Sequence, residues 1–219
     1  MSLRFARLIS RLILDLVANV QITGMDNLPL GNFVIAANHL GRLDTLLVLY
    51  ALEYDDIIHP MTDKYKSHPL FGLMGRLLRV TWLKRKGTDY AAMREMMTRL
   101  AKGGVLVITP EGQRSKSGGL LPGQPGVVYL ASKAGVPIVP VAITGTEDED
   151  VCASLKRLQR LQITITAGPS YMPPPLSGKG REKVLREATD EIMYRIAELL
   201  PETHRGVYAN RGVTRHPNS

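Results

Sequence analysis

One short stretch of the chain contains a buried strand, a polar loop and the start of a helix: VIAANHLGRLDTLL, residues 34–47. The apolar run before Asn38 is short and uncharged, which is typical of a strand covered on both faces. The residues after Asp44 are apolar again and favour a helix. A strand that leads through a loop into a helix is the repeating unit of α/β proteins. The stretch therefore predicts the fold class and places His39 at the carboxyl end of a strand.

The same alternation continues along the chain. Strand-like and helix-like segments follow one another, with strands at residues 56–63, 79–85, 104–110, 136–145 and 161–170, and helices at residues 68–80, 88–103, 125–135 and 181–200. We therefore expect an α/β fold, with a mostly parallel central sheet flanked by helices. Residues 21–200 are expected to form this single domain. Residues 201–219 lack apolar periodicity and are expected to form a tail that is mobile or lies over the surface.

Residues 1–20 form a predicted amphipathic helix. Its apolar residues recur at helical spacing: Phe5, Leu8, Ile9, Leu12, Ile13, Leu16 and Val17. Arg4, Arg7 and Arg11 share the opposite side of the helix. The helix either lies in a membrane interface, with its arginines on anionic headgroups, or docks on the core of the protein itself. No window of about 18 uncharged apolar residues exists, so we expect no transmembrane span.

The charge of the chain points to an anionic partner. There are 28 Lys and Arg against 20 Asp and Glu, a formal net charge of +8. Nucleic acid, a phospholipid surface and a phosphorylated substrate all fit that balance. Aromatic residues are only 5% of the chain, and no RNA-binding signature, zinc-finger spacing or basic heptad region is present, so we expect no nucleic-acid partner.

The single cysteine, Cys152, excludes an intramolecular disulfide and a Cys-rich metal site. A chain of this kind fits a reducing compartment. The histidines show no metal-ligand spacing, so we expect no metal.

His39 and Asp44 are the first candidates for chemistry. On one continuous helix, residues five apart point about 140° away from each other. A loop through Gly41 can instead bring the Asp44 carboxylate to one ring nitrogen of His39, which leaves the other free to take a proton from a hydroxyl. The alternative is that Asp44 is an acid favoured by the helix dipole and His39 an ordinary loop histidine.

A second polar loop, TPEGQRS at residues 109–115, follows another predicted buried strand. Because ligands of open α/β sheets bind at the carboxyl ends of the strands, this loop is expected near His39. Glu111 offers a carboxylate and Arg114 a planar fork suited to phosphate. The run at residues 84–86 adds cationic groups after a third predicted strand. Each feature alone is also compatible with a solvated loop.

Taken together, these motifs and their order along the chain resemble the four conserved sequence blocks of the glycerolipid acyltransferases of the lysophosphatidate (1-acylglycerol-3-phosphate) type. The resemblance covers about residues 38–145. Asn38, His39 and Asp44 match the Asn-His-x4-Asp motif of that family. The remaining matches fall on its three later blocks, two of which bind the acceptor: Arg85 on the second; Glu111, Gly112, Arg114 and Ser115 on the third; Pro137 and Pro140 on the fourth. Gly41 stands where many members have serine, and Gln113 where most have threonine.

The resemblance implies transfer of a fatty acyl group from acyl-CoA or acyl-carrier protein to a hydroxyl of a lysophosphatidate-like acceptor in phospholipid biosynthesis. His39 is then the general base, Asp44 orients it, and Arg85 and Arg114 hold the acceptor phosphate. Backbone N–H groups at the Gly41 turn or the adjoining helix N-terminus are the expected oxyanion donors. No acyl-enzyme and no cofactor are required.

The resemblance also favours the membrane interpretation of the first helix, because the acceptor is a lipid. We therefore expect a peripheral or monotopic protein on the cytoplasmic face of the cell membrane, bound to an anionic surface. Two alternatives are an acyltransferase with another lipid acceptor and a non-catalytic lipid-binding protein. A serine hydrolase is disfavoured because no G-x-S-x-G motif is present.

Overall fold

A six-stranded sheet forms the centre of the fold in the computed structural model, which describes residues 3–84, 87–115, 117–178 and 180–211. The strands are β1 Ala18–Thr23, β2 Val34–Ala37, β3 Ile57–Ile58, β4 Pro60–Thr62, β5 Thr81–Leu83, β6 Val105–Ile108, β7 Ile138–Thr144 and β8 Leu161–Ala167. The helices are α1 Leu3–Val17, α2 Asp44–Ala51, α3 Pro69–Leu77, α4 Tyr90–Ala101, α5 Gly126–Ala134, α6 Asp148–Lys156 and α7 Arg181–Leu199.

The strand order of the central sheet is β1-β8-β7-β2-β6-β3. All neighbouring pairs are parallel except β7 and β8, which are antiparallel. The predicted fold class, a mostly parallel sheet flanked by helices, is therefore confirmed. β2 lies between β6 and β7, so the loop that begins at Asn38 starts in the middle of the carboxyl edge.

Alternate residues of β2 enter two different hydrophobic clusters. Val34 and Ala36 pack with α4, α5 and α7 on one face of the sheet. Ile35 and Ala37 pack with Leu14 of α1 and Leu47 of α2 on the other. A strand covered on both faces needs apolar side chains at every position, which explains the uninterrupted VIAA.

The predicted strand at residues 56–63 divides between two sheets. Ile57–Ile58 pairs with β6 at the edge of the central sheet, whereas Pro60–Thr62 pairs with Thr81–Leu83 in a separate two-stranded sheet. Pro60 has no N–H group with which to continue a ladder, which fits a break at this point. The predicted strand at residues 79–85 thus belongs to the small sheet and not to the central one. Its end nevertheless lies near His39, because Leu83, Lys84 and His39 line one cavity.

Two elements were not predicted from the sequence. The first helix ends at Val17, and Ala18–Thr23 pairs in parallel with β8. Helix α6 at Asp148–Lys156 has no buried residue, so it lacks the apolar periodicity by which a helix is recognised.

The C-terminal segment lies over the domain as far as the structure describes it. Short 3₁₀ turns at Glu202–His204 and Gly206–Tyr208 bring the Tyr208 ring into the core beside α7. The Tyr208 hydroxyl accepts the Gly123 N–H at 3.0 Å, and burial raises the pKa of this phenol to about 12. The expectation that the tail lies over the surface of the domain therefore fits residues 201–211. Residues 212–219 lie outside the described residues.

Helix α1 docks on the domain through one side only. Leu14 is fully buried, the Ser10 hydroxyl donates to the Leu46 carbonyl at 2.7 Å, and Arg11 pairs with Glu53 at 2.6 Å. The opposite side exposes an apolar face, defined by Phe5, Leu8, Leu12, Ile13 and Leu16. The exposed apolar face is compatible with the membrane interpretation and the buried Leu14 with the docked one. The expectation that the arginines lie on headgroups is wrong for Arg7 and Arg11, because the Arg7 guanidinium donates to the Tyr54 carbonyl and Arg11 pairs with Glu53. Among the described helices, none is long and apolar enough to cross a bilayer.

Candidate active site

The loop after β2 brings His39 and Asp44 into direct contact. The His39 Nδ1 lies 2.7 Å from the Asp44 Oδ2. The same carboxylate oxygen accepts the backbone N–H groups of Leu40 at 3.1 Å and Gly41 at 3.2 Å. The loop therefore curls around the first residue of α2, as the functional interpretation of this pair requires.

Gly41 permits this turn through close packing. A Cβ atom at this position would lie 1.7 Å from the Thr146 carbonyl oxygen, which belongs to the loop between β7 and α6. The backbone of Gly41 itself is not in the left-handed region. Gly41, which stands where many family members have serine, is therefore required by the neighbouring Thr146 loop.

The hydrogen bonds of the pair define how His39 can act. Asp44 is buried and its Oδ2 already accepts N–H groups, so the His39 Nδ1 is the donor in their contact. Among the described residues, none hydrogen-bonds to the His39 Nε2, and the imidazole is 28% exposed. The free Nε2 can accept a proton from a hydroxyl group that binds beside it.

Glu111 holds two loops together. Its Oε1 accepts the His39 N–H and its Oε2 accepts the Leu121 N–H, both at 2.9 Å. Burial raises the pKa of this carboxyl, and the two N–H donors oppose that shift. This geometry suits a positioning residue, and direct contact between Glu111 and an acceptor stays a prediction.

Three other residues of the third block, Gly112, Arg114 and Ser115, line a large cavity beside His39. Gly112 adopts a left-handed backbone, with φ of 68°. The Ser115 N–H donates to the His39 carbonyl at 3.0 Å, and the Ser115 hydroxyl donates to the Gly119 carbonyl at 2.6 Å. The guanidinium of Arg114 is 31% exposed and pairs with Asp148. Arg85, assigned to the second block, lies outside the described residues.

Asn38 connects the ends of two strands. Its side-chain amide donates to the Ile143 carbonyl at 2.8 Å and accepts the Ile143 N–H at 2.7 Å. Because β2 and β7 are neighbours, this pair of bonds fixes where the His39 loop leaves the sheet. The asparagine of the first block is thus structural in this chain.

A cavity of about 1270 Å³ surrounds the His39–Asp44 pair. Its polar lining includes His39, Arg42, Asp44, Arg114, Ser115 and Asp148. Its apolar lining comes from α2 and from one face of the sheet, and includes Leu47, Val48, Leu52, Val107, Val141 and Ile165. A single cavity therefore offers a base, a guanidinium group and a long apolar wall.

Sequence reasoning missed two residues of this cavity. His59 lies between β3 and β4; its ring Nδ1 is buried without a hydrogen-bond partner in the described structure. Burial, together with the charge of the nearby His39, lowers the pKa of His59 to about 4. Asp148 begins the unpredicted helix α6. A lone histidine and a polar acidic run carry no sequence signal for a site.

The oxyanion donors expected at the Gly41 turn are already occupied. Leu40 and Gly41 donate to Asp44, and the Arg42 N–H donates to the Asp148 Oδ1 at 2.9 Å. The expectation is therefore wrong for these three groups. The reason is that two carboxylates, one local and one from α6, take the hydrogen bonds that a tight turn otherwise leaves free.

Comparison with known proteins gives a consistent set of relatives. The chain is 30% identical to the 1-acyl-sn-glycerol-3-phosphate acyltransferase of Escherichia coli, over 77% of this chain and 69% of that protein. It is 29% identical to a probable 1-acyl-sn-glycerol-3-phosphate acyltransferase of Mycoplasma pneumoniae, over 72% of this chain and 60% of the relative. For the enzyme of that name from Cocos nucifera the identity is 26%, over 78% and 55%. The chain thus spans less than two thirds of the last two relatives.

A crystal structure shares the fold. The 1-acyl-sn-glycerophosphate acyltransferase of Thermotoga maritima superposes with a TM-score of 0.63, over 87% of this chain and 79% of that chain, at 23% identity. A family model described as Acyltransferase matches residues 19–144, more than half of the chain. That segment contains most of β1, the His39–Asp44 loop and the Arg114 loop, and so the chain belongs to the acyltransferase family.

Proposed function

We propose that the protein transfers a fatty acyl group from a thioester, acyl-CoA or acyl-carrier protein, to the hydroxyl of a lysophosphatidate-like glycerolipid. The observation that carries this proposal is the His39–Asp44 pair, whose free Nε2 belongs to a cavity with both a guanidinium group and an apolar wall. The names of the relatives support the same activity.

The pair suits direct acyl transfer. The His39 Nε2 removes the proton of the acceptor hydroxyl as the oxygen attacks the thioester carbonyl carbon. Asp44 stabilises the imidazolium that forms. When the tetrahedral intermediate collapses, the C–S bond breaks and the thiolate takes the proton from His39. The products are an ester and a free thiol, and no acyl-enzyme forms.

The two kinds of cavity wall suit the two parts of the substrates. An acyl chain gains about 0.8 kcal/mol for each methylene that it buries, and the wall formed by α2 and the sheet face supplies an apolar surface. Arg114 lines the same cavity and supplies charge for the acceptor phosphate. We assign Arg85 to the same phosphate by its place in the second block.

The exposed apolar face of α1 supports a location on a membrane surface. An uncovered stripe of five large apolar side chains, on a helix that cannot span a bilayer, suits insertion into the interface between headgroups and acyl chains. The net charge of +8 favours an anionic surface. We place the protein on the cytoplasmic face, where acyl-CoA and acyl-carrier protein supply the donor for phospholipid biosynthesis.

The test is a His39→Ala variant assayed with labelled acyl-CoA or acyl-carrier protein and lysophosphatidate. We expect the rate of phosphatidate formation to fall at least about a hundredfold, since general-base catalysis contributes that much. His68→Ala is the matched control, because His68 is exposed and precedes α3. Unchanged activity of His39→Ala overturns the proposal. Vesicle binding without transfer to any acceptor by the parent protein would indicate a lipid-binding protein instead.

A further inference from the structure

Asp148 connects the two loops of the proposed active site. Its Oδ1 accepts the Arg42 N–H at 2.9 Å, and its Oδ2 forms an ion pair with the Arg114 guanidinium. The Arg42 guanidinium lies 3.8 Å from the same Oδ2. The Asp148 carboxylate is therefore already paired with Arg114, the arginine that the proposed function assigns to the acceptor phosphate.

We propose that Asp148 determines how strongly the site binds anionic acceptors, by competing with the acceptor phosphate for Arg114. This inference rests on the proposed function, in which Arg114 binds that phosphate. The competition raises the acceptor KM without a change in the chemical step. It also weakens the binding of simple anions to Arg114 by the same factor.

The exposure of the pair makes the exchange feasible. The Arg114 and Asp148 side chains are 31% and 34% exposed. Ion pairs of such exposure contribute about 0.2–1 kcal/mol, so a phosphate can displace the carboxylate. A fully buried pair would leave an uncompensated charge behind when it opened.

Arg42 makes the displaced carboxylate stable. When a phosphate takes Arg114, Asp148 keeps the Arg42 N–H, and the Arg42 guanidinium is already within 4 Å. The carboxylate therefore does not need to leave the loop. The exchange requires only that the Asp148 Oδ2 changes its partner, from the Arg114 guanidinium to the Arg42 guanidinium.

Substrate selection follows from the size of the penalty. Any anion that binds Arg114 loses the same factor in affinity, because the ion pair opens before each of them binds. An acceptor that also buries an acyl chain in the cavity offsets this loss through the buried chain, whereas free phosphate has no such contact. A neutral monoacylglycerol makes no use of Arg114 and avoids the penalty.

The decisive variant is Asp148→Asn, with Glu149→Gln as its matched control. The asparagine retains an oxygen for the Arg42 N–H and loses only the charge. Glu149 is the next carboxylate of α6 and is exposed, and no ion pair joins it to Arg114 in the described part of the chain. A general effect of net charge would therefore be equal in the two variants.

We expect Asp148→Asn to lower the KM for lysophosphatidate about two- to fivefold, with kcat unchanged, which corresponds to an ion pair worth up to about 1 kcal/mol. The inhibition constant of inorganic phosphate falls by the same factor, and the KM for monoacylglycerol does not change. In an Arg114→Ala background, Asp148→Asn has no effect. A raised KM, a lower kcat, an equal effect of Glu149→Gln or an effect that persists without Arg114 overturns the inference.

A binding experiment separates this inference from the proposed function. Inorganic phosphate and glycerol 3-phosphate are titrated against the full chain and both variants, with thermal unfolding as the readout. Tighter binding by Asp148→Asn alone supports the competition even if the parent protein transfers no acyl group. Equal binding by all three proteins contradicts it, whatever the activity of the parent.

Discussion

The Nδ1 of His39 lies 2.7 Å from the Oδ2 of Asp44, and that oxygen also accepts two backbone N–H groups of the loop between the two residues. One carboxylate oxygen thus both orients the imidazole and closes the loop. Changes at Asp44 are therefore expected to affect catalysis and folding together.

Asp44→Asn is expected to lower kcat by about a hundredfold or more, because an amide cannot stabilise the imidazolium and can hold the wrong tautomer of His39. We also expect the free energy of unfolding to fall by about 1–3 kcal/mol, since buried N–H groups lose part of their acceptor. Steady-state kinetics and urea unfolding measure the two effects. Asp55→Asn, at an exposed aspartate, is the control and should behave like the parent. If Asp44→Asn had the same kcat as the parent, that result would contradict the role of Asp44.

Gly41→Ser restores the residue that many family members have, and we expect it to destabilise this chain. The Cβ would lie 1.7 Å from the Thr146 carbonyl oxygen, so a backbone segment must move. Such overpacking costs about 1–3 kcal/mol. Thermal unfolding of Gly41→Ser is compared with that of Gly126→Ala, whose added methyl group meets no atom within 4 Å. Equal melting temperatures for the two variants would show that the Thr146 loop moves away without cost.

His59 is expected to make the protein less stable as the pH falls from about 6.5 to about 4. Burial lowers its pKa to about 4, so between these values the unfolded chain binds a proton that the folded protein does not. The free energy of unfolding therefore rises with pH in this window, by up to about 3 kcal/mol for this residue.

The measurement for His59 is urea unfolding at pH 5 and pH 7.5. His59→Asn should show a smaller difference between the two pH values than the parent, whereas His68→Asn should behave like the parent. An unchanged difference in His59→Asn would mean that the histidine is protonated in the folded protein.

A double variant, Leu12→Glu with Leu16→Glu, is expected to weaken binding to vesicles that contain anionic phospholipid. Both side chains belong to the exposed apolar face of α1, and charges there oppose insertion. Co-sedimentation with the vesicles measures the bound fraction, and Leu158→Glu, at a leucine that is 95% exposed, is the control. Substitution is preferable to deletion of residues before Val20, because Leu14 and Ala18 belong to the core. Equal binding by the double variant and the control would contradict the proposal that α1 inserts into the membrane surface.

The active-site loop was predictable because its parts are close in sequence. His39 and Asp44 are five residues apart, and one loop at the end of one strand suffices to join them. The location of Glu111 and Arg114 beside them followed from a general rule, that parallel strands bring their carboxyl ends to one edge. The strand at residues 79–85 was predicted, but its sheet was not, because nothing local indicates that the chain leaves the central sheet after Ile58.

By itself, the sequence determined the fold class, the contact between His39 and Asp44, and the order of the motifs, since buried strands and tight loops impose local patterns on the residues that form them. The tertiary structure alone decided which charged groups meet. Asp148 reaches Arg42 across more than a hundred residues, and Glu111 receives the His39 N–H across seventy-two. Such contacts depend on strand order and on the distance between loops, and these are set by the packing of the whole domain. The sequence pattern near each residue contains no record of them.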